Sequence, residues 1–237
     1  MQNRKTLFND FQHIKSGVEL FEPNTFINAD CMDHLPKCPA GYFDLAIVDP
    51  PYGVKYARGK NGWGVCDNRP ELSDVSWDES PPDINYFNEL RRVSKNQIVW
   101  GGNYFTDKLP VSKCWVVWNK ISDTENKSVF ADAELAWTSF TKVVKMFTLR
   151  TMGFISDTND DKRIHPTQKP TELYRWLLKK YAKAGDLILD THVGSGSSLV
   201  ACKELGFDYV GFEIDKEYYE GASKRVARAF RKYELQL

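Results

Sequence analysis

The chain has 237 residues, room for one α/β domain but cramped for two. Hydrophobic residues make up 42 % and charged residues 27 %, an ordinary globular composition, and no apolar run approaches membrane-spanning length. Lysine plus arginine (32) balances aspartate plus glutamate (32), so composition announces no polyanionic partner; any nucleic acid must meet a local basic face.

The opening MQNRKTLFND has none of the features of a signal peptide, and the expectation is a cytoplasmic protein. Five cysteines (Cys31, Cys38, Cys66, Cys114 and Cys202) form no C-x-x-C pair. Neither a metal site nor a disulfide framework is indicated, and most of them read as small buried hydrophobes.

In chain order, strands are predicted at 25–30, 43–49, 96–102, 114–119, 133–140, 187–193 and 209–215. Several are apolar throughout, as strands covered on both faces are. Helices are predicted at 171–183, where Leu173, Trp176, Leu177 and Tyr181 keep helical spacing, at 197–205 before Gly206, and at 216–234. In the last, Tyr219, Ala222, Val226 and Phe230 form the apolar stripe; Lys224, Arg225, Arg228, Arg231 and Lys232 lie mostly off it and read as a solvated face. Strands alternating with helices predict a doubly wound, mostly parallel sheet of seven strands, in one domain over 1–237. Two stretches fit poorly, 53–85 and 151–168, and loops of that length are often functional.

LILDTHVGSGSSLVACKELGFDYVGFEID (187–215) reads as a βαβ unit with a glycine turn. Gly194 and Gly196 let backbone pass close to a ligand, and Glu213, about 20 residues on, suits the hydroxyls of a ribose. Leu199 takes the third glycine's place and no P-loop lysine is present, so a nucleoside without phosphates fits better than a dinucleotide. A tight strand-to-helix turn with an incidental acid fits these residues equally well.

AIVDPPYGV (46–54) ends an apolar run with an acid, two prolines and an aromatic. Proline fixes φ and carries no N–H, and it drives the preceding residue into an extended conformation. The carbonyls of Asp49 and Pro50 are thereby aimed, no proline N–H competes for a ligand, and the Asp49 carboxylate makes the corner rich in acceptors. Its natural guest is a group with two N–H donors, such as an exocyclic amine, with Tyr52 offering a face for stacking. A proline-rich strand exit with a capping Asp is the alternative.

Together these motifs resemble the amino-methylating DNA methyltransferases of the permuted beta group. DPPY (49–52) looks like that family's catalytic motif, DTHVGSGSS (190–198) like its cofactor loop, and HPTQKP (165–170) like the element before the loop. NADCMDHL (28–35) looks like the element holding the cofactor's adenine, and IVWGGNYF (98–105) like a strand near the target pocket. The resemblance implies a Rossmann-like class I methyltransferase fold with circularly permuted motif order and methyl transfer from S-adenosyl-L-methionine. The implied target is the N6 amine of an adenine flipped out of double-stranded DNA. It implies Asp49, Pro50, Pro51 and Tyr52 as catalytic. It implies Asp30, Cys31, His165, Thr167, Gln168, Lys169, Asp190, Gly194, Ser195, Gly196, Ser197 and Glu213 as cofactor-binding. Thr191 and His192 depart from the usual Pro-Phe after Asp190.

Lys55, Arg58 and Lys60, interleaved with Tyr56 and Trp63, and Arg163 in the second long loop are candidate DNA contacts; a solvated loop is the alternative. The N4 amine of cytosine is the nearest rival target, usually accompanied by Ser before the prolines, so Asp49 favours adenine. A non-catalytic DNA- or cofactor-binding subunit is more distant. A homodimer is compatible with the sequence, as are a restriction-modification or phage setting; no membrane or metal partner is expected.

Overall fold

The computed structural model describes residues 12–15, 17–54, 80–120, 131–152, 155–156, 164–165 and 167–234. A hairpin of β1 (Gln12–Lys15) and β2 (Val18–Phe21) precedes β3 (Thr25–Asn28) and β4 (Phe43–Val48). Helix α1 (Ile84–Val93) runs directly into β5 (Ser94–Trp100), followed by β6 (Trp115–Asn119), β7 (Ala133–Thr138) and β8 (Lys145–Thr148). A short ladder joins β9 (Thr151–Met152) to β10 (Ile155–Ser156). Then come α2 (Thr171–Tyr181), β11 (Leu187–Asp190), α3 (Ser197–Leu205), β12 (Asp208–Glu213) and α4 (Lys216–Glu234).

The main sheet runs β3-β12-β11-β4-β5-β7-β6-β8. Every neighbouring pair is parallel except the two made by β7. All seven expected strands and all three expected helices are present, but the sheet has eight strands. The eighth, β8, is an edge strand whose residues alternate between half-buried and exposed. It has no continuous apolar run to betray it. Further additions are the β1–β2 hairpin, the β9–β10 ladder and α1, which begins at the end of the stretch read as a loop over 53–85. Asp83 caps it by accepting from the Tyr86 amide (3.1 Å), and Tyr86, Phe87, Leu90 and Val93 form its buried face.

Side chains alternate across β4 into two cores. Leu45 and Ile47 pack with residues of α2, α3 and α4; Ala46 and Val48 pack with α1 on the opposite face. Both faces are covered, which explains the unbroken apolar run of that strand. Leu173 and Leu177 of α2 are wholly buried, worth about 1.5–3 kcal/mol each in transfer terms.

One expectation about α4 fails. Lys224 and Arg228 are exposed, but Arg225 is buried. Ala222, Arg225 and Val226 share one face at i, i+3, i+4 spacing, so position 225 points inward. The guanidinium is accommodated because neutral oxygens of the glycine loop and of α2 wait for it.

The order of the sheet brings the carboxyl ends of β3, β12, β11, β4 and β5 side by side. In open α/β sheets this is the edge where ligands bind.

Candidate functional site

Four acidic residues stand at that edge in spatial order: Asp30 just beyond β3, Glu213 ending β12, Asp190 ending β11 and Asp49 just beyond β4. Asp49 and Asp190 are far apart in sequence, yet β4 and β11 are neighbours. The two motifs are thus joined by sheet topology.

At the Asp49 corner, the Tyr52 hydroxyl donates to Asp49 Oδ1 (2.6 Å) and the Lys169 ammonium donates to Oδ2. Burial, and then the charge of Asp49, push the Tyr52 phenol well above its ordinary range, so it stays a donor. Its ring stacks on Tyr104 (4.9 Å between centroids, 18° between planes), with the edge of Phe105 beyond. It also closes against the backbone of Gly101, where a Cβ would fall inside the ring. Gly101 has φ 68°, so glycine is required there on both counts. Tyr104 is 48 % exposed and presents an aromatic surface beside the corner.

Lys169 also meets Glu134 Oε2 at 3.3 Å, and the other oxygen of Glu134 accepts from Lys120 at 3.1 Å. The result is a line of alternating charge, Asp49–Lys169–Glu134–Lys120. Burial alone would lower the Lys169 pKa; Asp49 and then Glu134 outweigh it and hold the ammonium above its usual range. For Glu134 burial again opposes ionisation, and Lys169 and Lys120 overcome it, leaving the carboxylate below its usual range.

The glycine loop is held by hydrogen bonds among backbone groups, hydroxyls, one carboxylate and one guanidinium. Gly194 and Gly196 have φ of 54° and 80°, and a Cβ on Gly196 would lie 3.2 Å from the Ala222 Cβ. Gly196 opens α3, whose first turn contains Ser197 and Ser198. Ser197 Oγ donates to the Lys169 carbonyl (2.7 Å), and Ser195 Oγ and Ser197 Oγ lie 3.1 Å apart. Arg225 Nη1 donates to Ser197 Oγ (2.7 Å) and to the Ser195 carbonyl (3.1 Å), while Nη2 donates to Thr171 Oγ1 (3.0 Å). Glu213 Oε2 accepts from the Gly194 amide (2.7 Å) and Oε1 from the Asp215 amide (2.9 Å). Burial raises the Glu213 pKa, partly offset by those amides.

Burial also lifts the Asp190 carboxyl to about 7, against donors from Ser198 Oγ and the His192 amide (3.0 Å). The imidazole of His192 is lowered to about 4 by burial, so it is neutral at physiological pH. Its Nδ1 lies 2.9 Å from Thr191 Oγ1, which in turn lies 2.7 Å from the Tyr86 hydroxyl of α1. The Thr-His pair that stands in place of Pro-Phe is therefore tied to a tyrosine on the neighbouring helix, and Tyr86 meets the His192 ring edge-on at 5.4 Å.

Asp30 caps the turn Cys31–Asp33 by accepting from the Met32 amide (2.9 Å). The Cys31 thiol is buried in the α1-side core, which raises its pKa and leaves the backbone as its route to a ligand. His165 accepts at Nδ1 from the Thr167 amide (3.3 Å) and packs against Tyr218 at 4.3 Å. A Cβ on Gly194 would lie 3.6 Å from its ring. Gln168 Oε1 accepts from the Ile164 amide (3.1 Å), closing the HPTQKP segment on itself. Pro50 is buried and Pro51 half-buried.

Lys169, expected among the cofactor residues, turns its carbonyl to the loop and its ammonium to Asp49. Lys55, Arg58, Lys60 and Arg163 lie outside the described residues. Sequence reasoning missed Glu134, Tyr86 and the inward course of Arg225, while Tyr104 falls within IVWGGNYF, the segment expected near the target pocket. Glu134 did leave a signal, an acid inside the otherwise apolar AELAW. Among the described residues, no group of three or more His, Cys, Asp or Glu side chains could hold a metal ion.

Comparison with known proteins points the same way. Type II methyltransferase M.HinfI of Haemophilus influenzae is 25 % identical over 248 aligned positions, covering 86 % of this chain and 68 % of its own length. Type II methyltransferase M.HpaI of Haemophilus parainfluenzae is 38 % identical over 76 residues, 32 % of this chain; the match spans only 24 % of that relative. Among solved structures, the M1.HpyAVI–SAM complex superposes with a TM-score of 0.53 at 20 % identity, covering 84 % of this chain and 98 % of its own. PvuII DNA methyltransferase (cytosine-N4-specific) gives 0.55 at 10 % identity, covering 90 % and 93 %. At such identities these two show the shared fold, that of the class I methyltransferases. A family model described as DNA methylase matches residues 104–224, from the turn after β5 into α4, and the chain belongs to that N6/N4 DNA methylase family.

Proposed function

We propose that this chain transfers a methyl group from S-adenosyl-L-methionine to the exocyclic N6 amine of an adenine flipped out of double-stranded DNA. The observation that carries the reading is the adjacency of β4 and β11. It sets an acceptor-rich Asp-Pro-Pro corner beside a glycine loop, with acids at the ends of the next two strands.

The loop residues fit the cofactor. Glu213 and Asp30 supply carboxylates for hydroxyl and amine donors of a nucleoside, and Gly194 and Gly196 keep side chains out of the approach. The buried Leu199 at the third-glycine position, and the absence of a P-loop lysine, suit a nucleoside without a pyrophosphate. In this assignment Asp190, Ser195 and Ser197 line the methionine end, with His165, Thr167 and Gln168 closing over it. Bound there, the cofactor supplies an electrophilic methyl on a sulfonium.

An adenine amine is a weak nucleophile because its lone pair is delocalised into the ring. Asp49 and the Pro50 carbonyl accept its two N–H bonds and draw the nitrogen toward tetrahedral geometry. As the amine took up the methyl that the bound cofactor would supply, positive charge would develop on the nitrogen, next to the Asp49 carboxylate. That is preorganised electrostatic stabilisation combined with in-line placement. The extra proton would then pass from the nitrogen to solvent water. Flipping costs a few kcal/mol, offset by stacking and edge contacts. Tyr52 and its partner Tyr104 form the aromatic wall for the base. Lys55, Arg58, Lys60 and Arg163 are assigned to the DNA backbone, and residues 1–237 to one domain.

The test is to incubate the protein with tritiated cofactor and plasmid DNA free of prior methylation, digest one portion to nucleosides to identify the labelled base and map modified positions in a second, intact portion by single-molecule sequencing. N6-methyladenine at a recurrent sequence is expected. N4-methylcytosine would move the target base, and absence of label from DNA would sink the reading.

A further inference from the structure

We propose that Lys169 is a positioning residue for methyl transfer: it clamps Asp49 with its side chain while its backbone anchors the glycine loop, locking amine acceptor and methyl-donor cradle into one unit. The inference rests on the function proposed above and deepens it.

The geometry is unusual for a residue next to a cofactor loop. The Lys169 carbonyl accepts from Ser197 Oγ (2.7 Å), so its main chain belongs to the cradle. Its side chain turns the other way. The ammonium has three N–H donors, and three oxygens surround it: Asp49 Oδ2, Glu134 Oε2 (3.3 Å) and the Tyr52 hydroxyl (3.3 Å). The Tyr52 ring lies 5.7 Å and the Trp100 ring 5.5 Å from the nitrogen. The side chain is only 4 % exposed. No donor is left over for a cofactor, and the ammonium has little freedom to swing.

Asp49 by contrast has few anchors of its own. It lies one residue beyond β4, in an extended corner fixed by prolines that donate nothing. Its carboxylate is oriented by Tyr52, three residues away, and by Lys169, 120 residues away. Among the described residues, only Lys169 links that orientation to the loop. Charge balance explains how so buried a cation is tolerated. Glu134 faces it from β7, and Lys120 holds Glu134 in turn. A buried ion costs several kcal/mol unless it is paired and hydrogen-bonded, and here both conditions are met.

The clamp predicts a separation between chemistry and binding. Lys169→Met removes the charge, keeps the backbone carbonyl and nearly keeps the volume. With saturating cofactor and unmethylated plasmid DNA, kcat should fall about 100-fold, the scale of a misplaced reacting group. Cofactor affinity by calorimetry should stay within about threefold, since a neutral side chain leaves the Ser197 anchor intact. Lys169→Arg keeps the charge and should recover about tenfold of the loss.

Because Lys169→Met also strips Glu134 of one partner, a fall in stability could mimic the effect. Lys169→Met with Glu134→Gln relieves that charge imbalance. The double variant should melt near the wild type and remain slow. A double variant that folds, binds cofactor and turns over at the wild-type rate would overturn the clamp. So would a Lys169→Met protein that loses cofactor affinity tenfold with kcat unchanged, because the ammonium would then serve the cofactor. Wild-type protein that labels no DNA would sink the proposed function and this inference together; normal wild-type labelling with a fast Lys169→Met sinks the inference alone.

Discussion

The two halves of the site are held by different physics. Around the glycine loop, oxygens of Glu213, Ser195, Ser197 and the Lys169 main chain are met by backbone amides, hydroxyls and one buried guanidinium. Around Asp49, charge faces charge, with aromatic rings as walls. The corner is electrostatically balanced before any amine arrives. Hydrogen bonds to charged groups contribute about 1.5–3 kcal/mol; around the loop they join a charge to a neutral partner, whereas at the corner charge pairs with charge, so removing a group should be felt differently in the two places.

The largest contrast comes from Asp49→Ala. Methyl transfer should fall about 10³-fold, the upper range for losing one preorganised partner of a developing charge. Cofactor affinity should hardly move, because none of the loop's hydrogen bonds involves Asp49. Asp49→Asn, which preserves packing under Lys169, should be nearly as slow. Calorimetry alongside a tritium-transfer assay checks both numbers. If affinity falls in parallel with the rate, the halves are not separable and the contrast fails.

The mirror experiment is Glu213→Ala. It removes acceptors for the Gly194 and Asp215 amides along with the assigned ribose partner. Cofactor affinity should drop about 10- to 100-fold, the effect of one or two charge-assisted hydrogen bonds. At saturating cofactor the rate should stay within a few-fold of wild type. Unchanged affinity would strip Glu213 of its ligand role and leave it as a loop staple only.

How much of this contrast could be read from sequence follows the same division. Asp49, Glu213 and the two glycines are legible because strand ends and backbone demands are local. The seven apolar strands were equally plain. Strand β8 was not, since an edge strand with Met146 and Thr148 turned to solvent shows no apolar run. The destination of the Lys169 ammonium was hidden for another reason: it depends on β7 bringing Glu134 alongside β5, a tertiary fact. Arg225 was masked by residue type. Its position obeys the core spacing of α4, but a guanidinium reads as surface unless its neutral partners are known.

A change in stability rather than in function is expected at His192, whose amide donates to Asp190. Asp190 titrates near 7 in the folded chain against an ordinary value of 3.8. Between pH 4 and 6.5 the folded state therefore holds a proton there that the unfolded state lacks, and stability falls as pH rises. His192 titrates near 4 against an ordinary 6.5. Over the same window the unfolded state holds the extra proton, and stability rises with pH. Stability increases with pH wherever the unfolded chain binds more protons, so the two slopes, each at most about 1.4 kcal/mol per pH unit, nearly cancel. His192→Phe removes one of them and restores the aromatic usual at that position. The variant should lose stability steadily from pH 4 to 6.5 relative to wild type, and urea midpoints across that range check it. A parallel pair of curves would mean that His192 is not held neutral by burial. The Thr191–Tyr86 hydrogen bond should survive the change, since it does not pass through the imidazole.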